Sequence, residues 1–549
     1  MIANCLARGI FVTSVSLVWT AFVSIVASGA TYYVATNGNN ANPGTEAQPW
    51  KTIQKAADTA TAGDTVYIKA GIYKEKVAPR NSGNIDNYIT YMAHGSGEVT
   101  IDGTGLSLPR WGGLFDILRR DYIRVSGLRI VNSVSAGIFV NHASHIIIEK
   151  NYTYNSFTSG IGAWNSDNIV IDDNEVELAC NDGDQECITV AATDRFEIKN
   201  NHVHHGGPGT TGGEGINAKE GSANGKIYRN RVHDLPNRHG MYVDAWDRHT
   251  YNIEVFDNIV HDCPDGLSVA AEAGGLLENV VIYNNIVYNS RFVGITIADW
   301  GKPILEHPMK DIKVINNTFY DNGRGDWGGG ISVENPNVEN VVIRNNICSQ
   351  NLSFQIAVVT DVRAESLTID YNLIDGYRGY HEELRGSDCV EGNPLFINTR
   401  WADFHLEENS PAIDKGSSFD APGNDLDGNY RPQGAGYDIG AFEFMATDIN
   451  RPSNDEPLVI DLFQSYPNPF SNTTTIEYLI LESGHVELKV YSLSGELIRT
   501  LIDEQQQAGS YMIEWNGRNN EGEHVSSGIY FYCLKVGAWT EVRKCAVSK

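Results

Sequence analysis

From about Ile101 onward, apolar and polar residues alternate with a period of two in short runs, and the runs themselves recur. One marker, an asparagine that follows the pattern apolar, any, apolar, any, any, falls at Asn151, Asn174, Asn201, Asn230, Asn258, Asn285, Asn317, Asn346 and Asn372. A second, a strand of the form Gly-Ile-any-Val, begins at Gly137, Gly160, Cys187, Gly215, Gly240, Gly266, Gly294 and Gly330. Two phased markers in each period, with short strands and no helical half, predict the coils of a parallel β-helix. A β-propeller is the alternative, but its blades are longer and usually hold four strands each. The recurring asparagines are expected to stack and to hydrogen-bond along the stack at tight bends, a structural task.

The flanks of this repeat read differently. An apolar, small-residue run from Ile10 to Val26, ending at Ser28, Gly29 and Ala30, is expected to be a signal peptide over 1–30. Residues 31–100 read as an N-terminal cap and first coils, with a short amphipathic helix from Thr52 to Ala60 suited to shield the open end of a stack of strands. Residues 101–445 form the β-helix, including a closing segment from Asn372 to Phe444 in which the rhythm breaks. That segment resembles the one that closes many secreted bacterial β-helix proteins. Asp425, Asp427 and Asn429 have a chelating spacing but lack the remainder of a calcium loop, so a structural turn is expected there. A polar linker over 446–461 leads to an all-β module over 462–549. Its YPNPF and SSGIYFY segments resemble the C-terminal sorting domain of the type IX secretion system; the alternative is a sugar-binding sandwich. The resemblance implies export by the type IX secretion machinery, with the protein secreted or attached to the cell surface. The expected fold class is therefore all-β: a right-handed parallel β-helix followed by a small β-sandwich.

Charge and cysteine content narrow the partners. With 69 acidic against 41 basic residues and a net charge of -28, the chain repels nucleic acid and anionic membranes. No stretch beyond the leader could span a bilayer. Seven cysteines remain after the leader, an odd number; Cys180 with Cys187 and Cys533 with Cys545 are the expected local disulfides of an oxidising compartment.

Period-two alternation assigns faces to each Gly-Ile-any-Val strand. The Ile and Val positions point into the solenoid, so residues two and four after the glycine point outward. Those columns bring Asn217 and Lys219 beside Tyr242 and Asp244 on the next coil, about 4.8 Å away. The position before the glycine reads Glu186, Glu214, His239 and Asp265 in four consecutive coils, and the loop before it adds Asp182 and Asp184. Crowded carboxylates repel unless a cation or raised pKa values relieve them, so Asp182, Asp184, Glu186 and Glu214 are candidate calcium ligands. Trp246 and Trp300, with Glu272 between them in one column, suit sugar faces. Arg238, Arg248 and His249 supply local positive charge for an acidic polymer.

An extended solenoid face suits an extracellular polysaccharide better than a small metabolite. The stretch GEGINAKEG resembles the catalytic coil of β-helix polysaccharide lyases acting on alginate and dermatan, and more loosely that of the pectate lyases. The resemblance implies Lys219 as Brønsted base and Glu214 as calcium ligand in a β-elimination, with Asp244 standing where such lyases carry an arginine. Elimination also requires a proton for the leaving oxygen, and His239 or Tyr242 is the candidate donor. Asp244 completes the candidate catalytic group, and Asn217, Arg238, Trp246, Arg248 and Trp300 the substrate-binding one. Two other classes stay open: a glycoside hydrolase with paired carboxylates such as Glu214 and Asp244 or Asp265, and a non-catalytic glycan-binding surface protein.

Overall fold

A computed structural model describes residues 29–445, apart from 182, 209–211 and 302–304, and most of 460–547. The expected leader and linker fall outside the described residues except for the last two positions of each. The chain divides into two compact units, residues 1–446 and 447–549.

The first unit is the parallel β-helix that the two phased markers predict. Its Gly-Ile-any-Val strands pair in parallel into one ten-stranded sheet, in an order that follows the coils without exception. The remaining strands of each coil form the walls of a 24-stranded sheet. One coil illustrates the plan: Asp194–Lys199, His202–His204 and Ile216–Lys219 are its three strands. The register is the one period-two alternation requires, with Ile188 opposite Ile216, Ile216 opposite Met241, and Met241 opposite Leu267. Ile188, Val190, Ile216, Ala218, Met241 and Val243 accordingly sit in the core. Glycine before the inward Ile has a steric cause. A Cβ at Gly240 would stand 2.6 Å from the Gly266 carbonyl oxygen and 2.2 Å from Val260 Cγ1.

The asparagine stack is continuous. Asn201 Nδ2 donates to Asn230 Oδ1 at 3.0 Å and to the Ile171 carbonyl at 2.9 Å, and Asn230 repeats this with Asn258 and Ile198. Each ladder asparagine follows a residue in the left-handed region, such as Asn200 or Arg229, which makes the sharp bend. The side-chain amides then satisfy backbone groups that the bend turns inward.

At the N-terminal end, helix Ile53–Thr59 starts on Thr52, whose side chain accepts from the Lys55 backbone N–H. It buries Ile53, Ala56 and Ala57 against the first coils, as a cap should. At the other end, the segment after Glu391 does more than close the last coil. It runs back along the asparagine bends, where Asn316 and Asn345 donate to the carbonyls of Asp438 and Ser417. Arg431 and Glu443 form a fully buried ion pair of 2.8 Å within it. Asp425 accepts from the Asn429 and Glu443 backbone N–H groups, so this turn is structural, as expected.

The second unit packs a three-stranded and a four-stranded antiparallel sheet around Trp515, Tyr478 and Tyr532. Its register corrects one expected disulfide. Cys533 stands opposite Val542 while Cys545 stands opposite Tyr530, so the two cysteines point to opposite faces of their hairpin. Cys180 and Cys187 are both buried and free, so the other expected disulfide is not formed either.

Candidate functional site

The outward columns of the ten-stranded sheet hold the expected residues in the expected register, with Asn217 opposite Tyr242 and Lys219 opposite Asp244. What the alternation does not reveal is how deeply they lie. Asn217, Tyr242 and Asp244 face away from the solenoid core yet are only 1%, 5% and 2% exposed. Side chains from neighbouring coils and from the loops after each strand cover them.

Lys219 is the centre of the first group. Its Nζ donates to Glu186 Oε1 at 2.6 Å across adjacent coils, and Glu220 stands at 4.0 Å. Glu186 also accepts from the Thr189 hydroxyl at 2.7 Å. Burial pulls the Lys219 pKa down, but the charge and hydrogen bond of Glu186 outweigh it and carry the pKa above the ordinary lysine range. Asp244 is therefore not the partner of Lys219, despite their cross-strand register. It turns to the backbone instead, its Oδ1 accepting from the Trp246 N–H at 2.8 Å and the Glu272 N–H at 3.4 Å. Burial pushes the Asp244 pKa up to about 7 against those two backbone bonds.

Of the four expected calcium ligands, Glu186 and Glu214 share this neighbourhood. Burial, and after it the charge of Glu186, raises the Glu214 pKa. Asp184 is a correction: it faces away, paired with Arg110 at 2.6 Å in a hollow lined by Trp111, Phe139 and Trp164. Asp182 lies outside the described residues. Asn217 Oδ1, on the strand of Lys219, is buried without a hydrogen-bond partner, which is costly for an amide oxygen; Gln185 Oε1 is likewise buried and unpartnered, but Gln185 lines the hollow of Asp184 and Arg110. A donor set of carboxylate and amide oxygens fits a hard cation such as calcium.

The second group lies one coil on. His239 Nδ1 stands 3.2 Å from Asp265 Oδ2 and 3.3 Å from Ser268 Oγ, and its ring stacks on Trp300 at 4.7 Å and 20°. The Tyr242 hydroxyl donates to Glu272. Burial, with the charges of Asp244 and Glu272, holds that phenol protonated far above its usual range. Trp300 is thus half-buried over the imidazole, while Trp246 is exposed at the rim. Arg238 reaches to 4.0 Å from Glu214, and Arg248 and His249 lie on the exposed edge beside Asp247 and Glu278.

The same face extends beyond these residues. Farther along the sheet, a cleft of about 350 Å³ is lined by Asp299, Trp327, Glu334, Tyr380 and Glu382. Trp111 and Trp327, both exposed, thus stand on either side of the Lys219 group along the coil stack. Sequence reasoning passed over Thr189, Ser268 and Trp111. The first two were visible in the column two after the glycine, and Trp111 precedes the first strand that carries the marker.

Three family models match parts of the chain. Residues 32–233 match the Pel9A-like right handed beta helix region, residues 277–376 the disaggregatase related family, and residues 471–541 the FlgD Ig-like domain. The uncharacterized protein YwoF of Bacillus subtilis (strain 168) is 26% identical over 442 residues, which is 70% of this chain and 92% of YwoF. Pectate lyase PEL9 of Emericella nidulans is 28% identical over 156 residues, 26% of this chain and 38% of that enzyme. Among solved structures, pectate lyase Pel9A aligns with a TM-score of 0.45 and 16% identity over 76% of this chain and 97% of its own. The matched Pel9A-like right handed beta helix region runs from the first coils through the coil of Lys219.

Proposed function

We propose that the protein is a calcium-assisted lyase that cleaves a uronic-acid polysaccharide by β-elimination on the outward face of the ten-stranded sheet. The observation that carries this reading is Lys219, nearly buried on that face beside two buried carboxylates and the partnerless Asn217 Oδ1. The Pel9A-like match over the same coils and the 28% identity to a pectate lyase support it.

Glu186, Glu214 and Asn217 would hold the cation. Calcium, when bound, supplies positive charge that receives the substrate carboxylate and offsets the charge of Glu186. Lys219 relieved of that charge keeps burial as the main influence on its pKa, and burial lowers it. Its Nζ then takes the proton from the carbon next to the substrate carboxylate. The carbon–oxygen bond on the adjacent carbon breaks, and a carbon–carbon double bond forms. His239 is placed to protonate the leaving oxygen, because Asp265 engages Nδ1 and leaves Nε2 as the transferring nitrogen. Trp300 holds that ring in place, and Arg238 adds positive charge at the rim. Asp244 keeps the turn that presents Trp246, a positioning task. Export by the type IX machinery and a secreted or surface-attached location rest on the YPNPF and SSGIYFY segments.

The test is ultraviolet absorbance of unsaturated products from polygalacturonate, alginate and a glucuronate-containing polymer, with a neutral glycan as control. Absorbance that requires calcium, disappears with chelator and is lost in folded Lys219→Ala supports the proposal. Reducing ends without absorbance would transfer the site to the hydrolases, and full activity in Lys219→Ala would remove the base from it.

A further inference from the structure

A second constellation lies on a different wall of the solenoid. Strands Glu175–Glu177, His202–His204, Arg231–His233 and Ile259–His261 are consecutive members of the 24-stranded sheet, in a register that places Glu177, His204, His233 and His261 in one outward column. His202 stands in the neighbouring column, opposite Glu175 on one side and Arg231 on the other. Lys219 belongs to the other sheet.

We infer that Glu175, His202, His204 and His233 form a binding site for a zinc-class divalent cation. Convergence of ligand atoms is the first reason. One ligand atom each from Glu175, His202 and His204 lie within 4.8 Å of one another. His204 Nε2 is 3.3 Å from Glu175 Oε1, and His202 Nε2 is 2.7 Å from His233 Nε2. Tetrahedral zinc with bonds of about 2.0–2.1 Å places its ligand atoms roughly 3.4 Å apart, so small side-chain adjustments suffice.

Orientation of the ring nitrogens is the second reason. His233 Nδ1 lies 2.7 Å from Asp234 Oδ2, which fixes the proton on that nitrogen and leaves Nε2 with its lone pair aimed at His202 Nε2. A carboxylate behind the imidazole is the usual outer partner of a zinc-bound histidine. His202 Nε2 and His233 Nε2 turn toward each other, and His204 Nε2 toward a carboxylate, an orientation that ring stacking alone does not require. Arg231 opposes a cation here, but Glu175, Glu177 and Asp234 outweigh its single charge. Imidazole-rich donors select zinc, copper or nickel over calcium, which separates this site from the oxygen-lined one.

The experiment titrates Zn2+ and Co2+ into the full chain, stripped with chelator and then saturated with Ca2+. One equivalent of Zn2+ is expected to bind, and one equivalent of Co2+ to give the intense visible bands of tetrahedral coordination. The double variant His202→Asn with His204→Asn should lose both signals, and His233→Asn should weaken Zn2+ at least tenfold. Lys219→Ala should bind Zn2+ unchanged. Absence of Zn2+ binding, or binding unaltered in the folded double variant, overturns the site. Should the double variant not fold, the unaltered chain decides: tetrahedral Co2+ bands uphold the site, and a weak octahedral spectrum refutes it.

Discussion

The contact between Lys219 and Glu186 sets a measurable expectation. The pair is 2.6 Å long, with side chains 14% and 7% exposed, so water screens it little. An exposed pair contributes about 0–1 kcal/mol. Removing one member of a buried pair instead strands a charge and costs about 3–5 kcal/mol. Glu186→Gln leaves the Lys219 ammonium with Glu220 at 4.0 Å as its nearest carboxylate, and Lys219→Met leaves Glu186 with the Thr189 hydroxyl. Each single substitution should therefore cost about 3–5 kcal/mol at pH 7, and the double variant less than either. The Lys219→Met deficit should shrink as pH falls and the stranded carboxyl takes up a proton. Urea unfolding in chelator, followed by tryptophan fluorescence, measures the cycle. Should it show several phases, amide hydrogen exchange in strands Ile188–Ala191 and Ile216–Lys219 localises the loss. Single losses below about 1 kcal/mol that simply add in the double variant would refute the argument from burial, and with it the account of why Lys219 is held protonated.

Two further expectations follow from other parts of the first unit. His405 lies between Asp403 at 2.6 Å and Asp427 at 2.8 Å, and these hydrogen bonds and charges outweigh burial and raise its pKa to about 9. A folded pKa above the unfolded value of about 6.5 means stability that is fully present below pH 6.5 and is lost as pH rises through 9. His405→Gln should flatten the thermal midpoint across that window; an unchanged pH dependence would remove His405 as its source. Asn230→Ala would strand the Asn201 backbone N–H, which donates to Asn230 Oδ1 at 3.0 Å, while the Asn201 side-chain amide keeps the Ile171 and Lys199 carbonyls. At about 1–3 kcal/mol for one buried donor, the loss should be about 1–3 kcal/mol in denaturant unfolding.

The fold was legible because its two markers answer to two local constraints. A left-handed bend followed by an asparagine satisfies backbone groups at one corner of the coil, and the Gly240 position has no room for a Cβ at another. Either constraint alone fixes only a turn. Together they fix phase, so inward and outward positions could be assigned before any coordinate, and Asn217 opposite Tyr242 follows from counting. The closing segment was foreseen, but its path back along the bends escaped because its contacts are not periodic. Asn284 donates to the Asn424 carbonyl and Lys313 pairs with Asp420, contacts between residues more than a hundred positions apart.

Site residues were legible as positions but not as partners. Alternation places Lys219 beside Asp244, yet Asp244 is claimed by two backbone N–H groups in the turn after its own strand. A side chain four after the glycine is close enough to that turn for the backbone to compete with a cross-strand neighbour. Lys219, with a longer stem, reaches back across the sheet to Glu186. Asp184 fails for a related reason: it sits in a loop, where the period-two rule assigns no face, and Arg110 takes it. The histidine wall was the larger omission, because its signal obeys the repeat. After successive ladder asparagines the chain reads His-Val-His-His, Arg-Val-His-Asp and Ile-Val-His-Asp, the same phase three times. Reading only the Gly-Ile-any-Val strand treats the other walls as scaffold. In a solenoid every outward column is a stack about 4.8 Å apart, so any column that repeats a ligand-bearing residue concentrates chemistry as surely as the one chosen for its glycine.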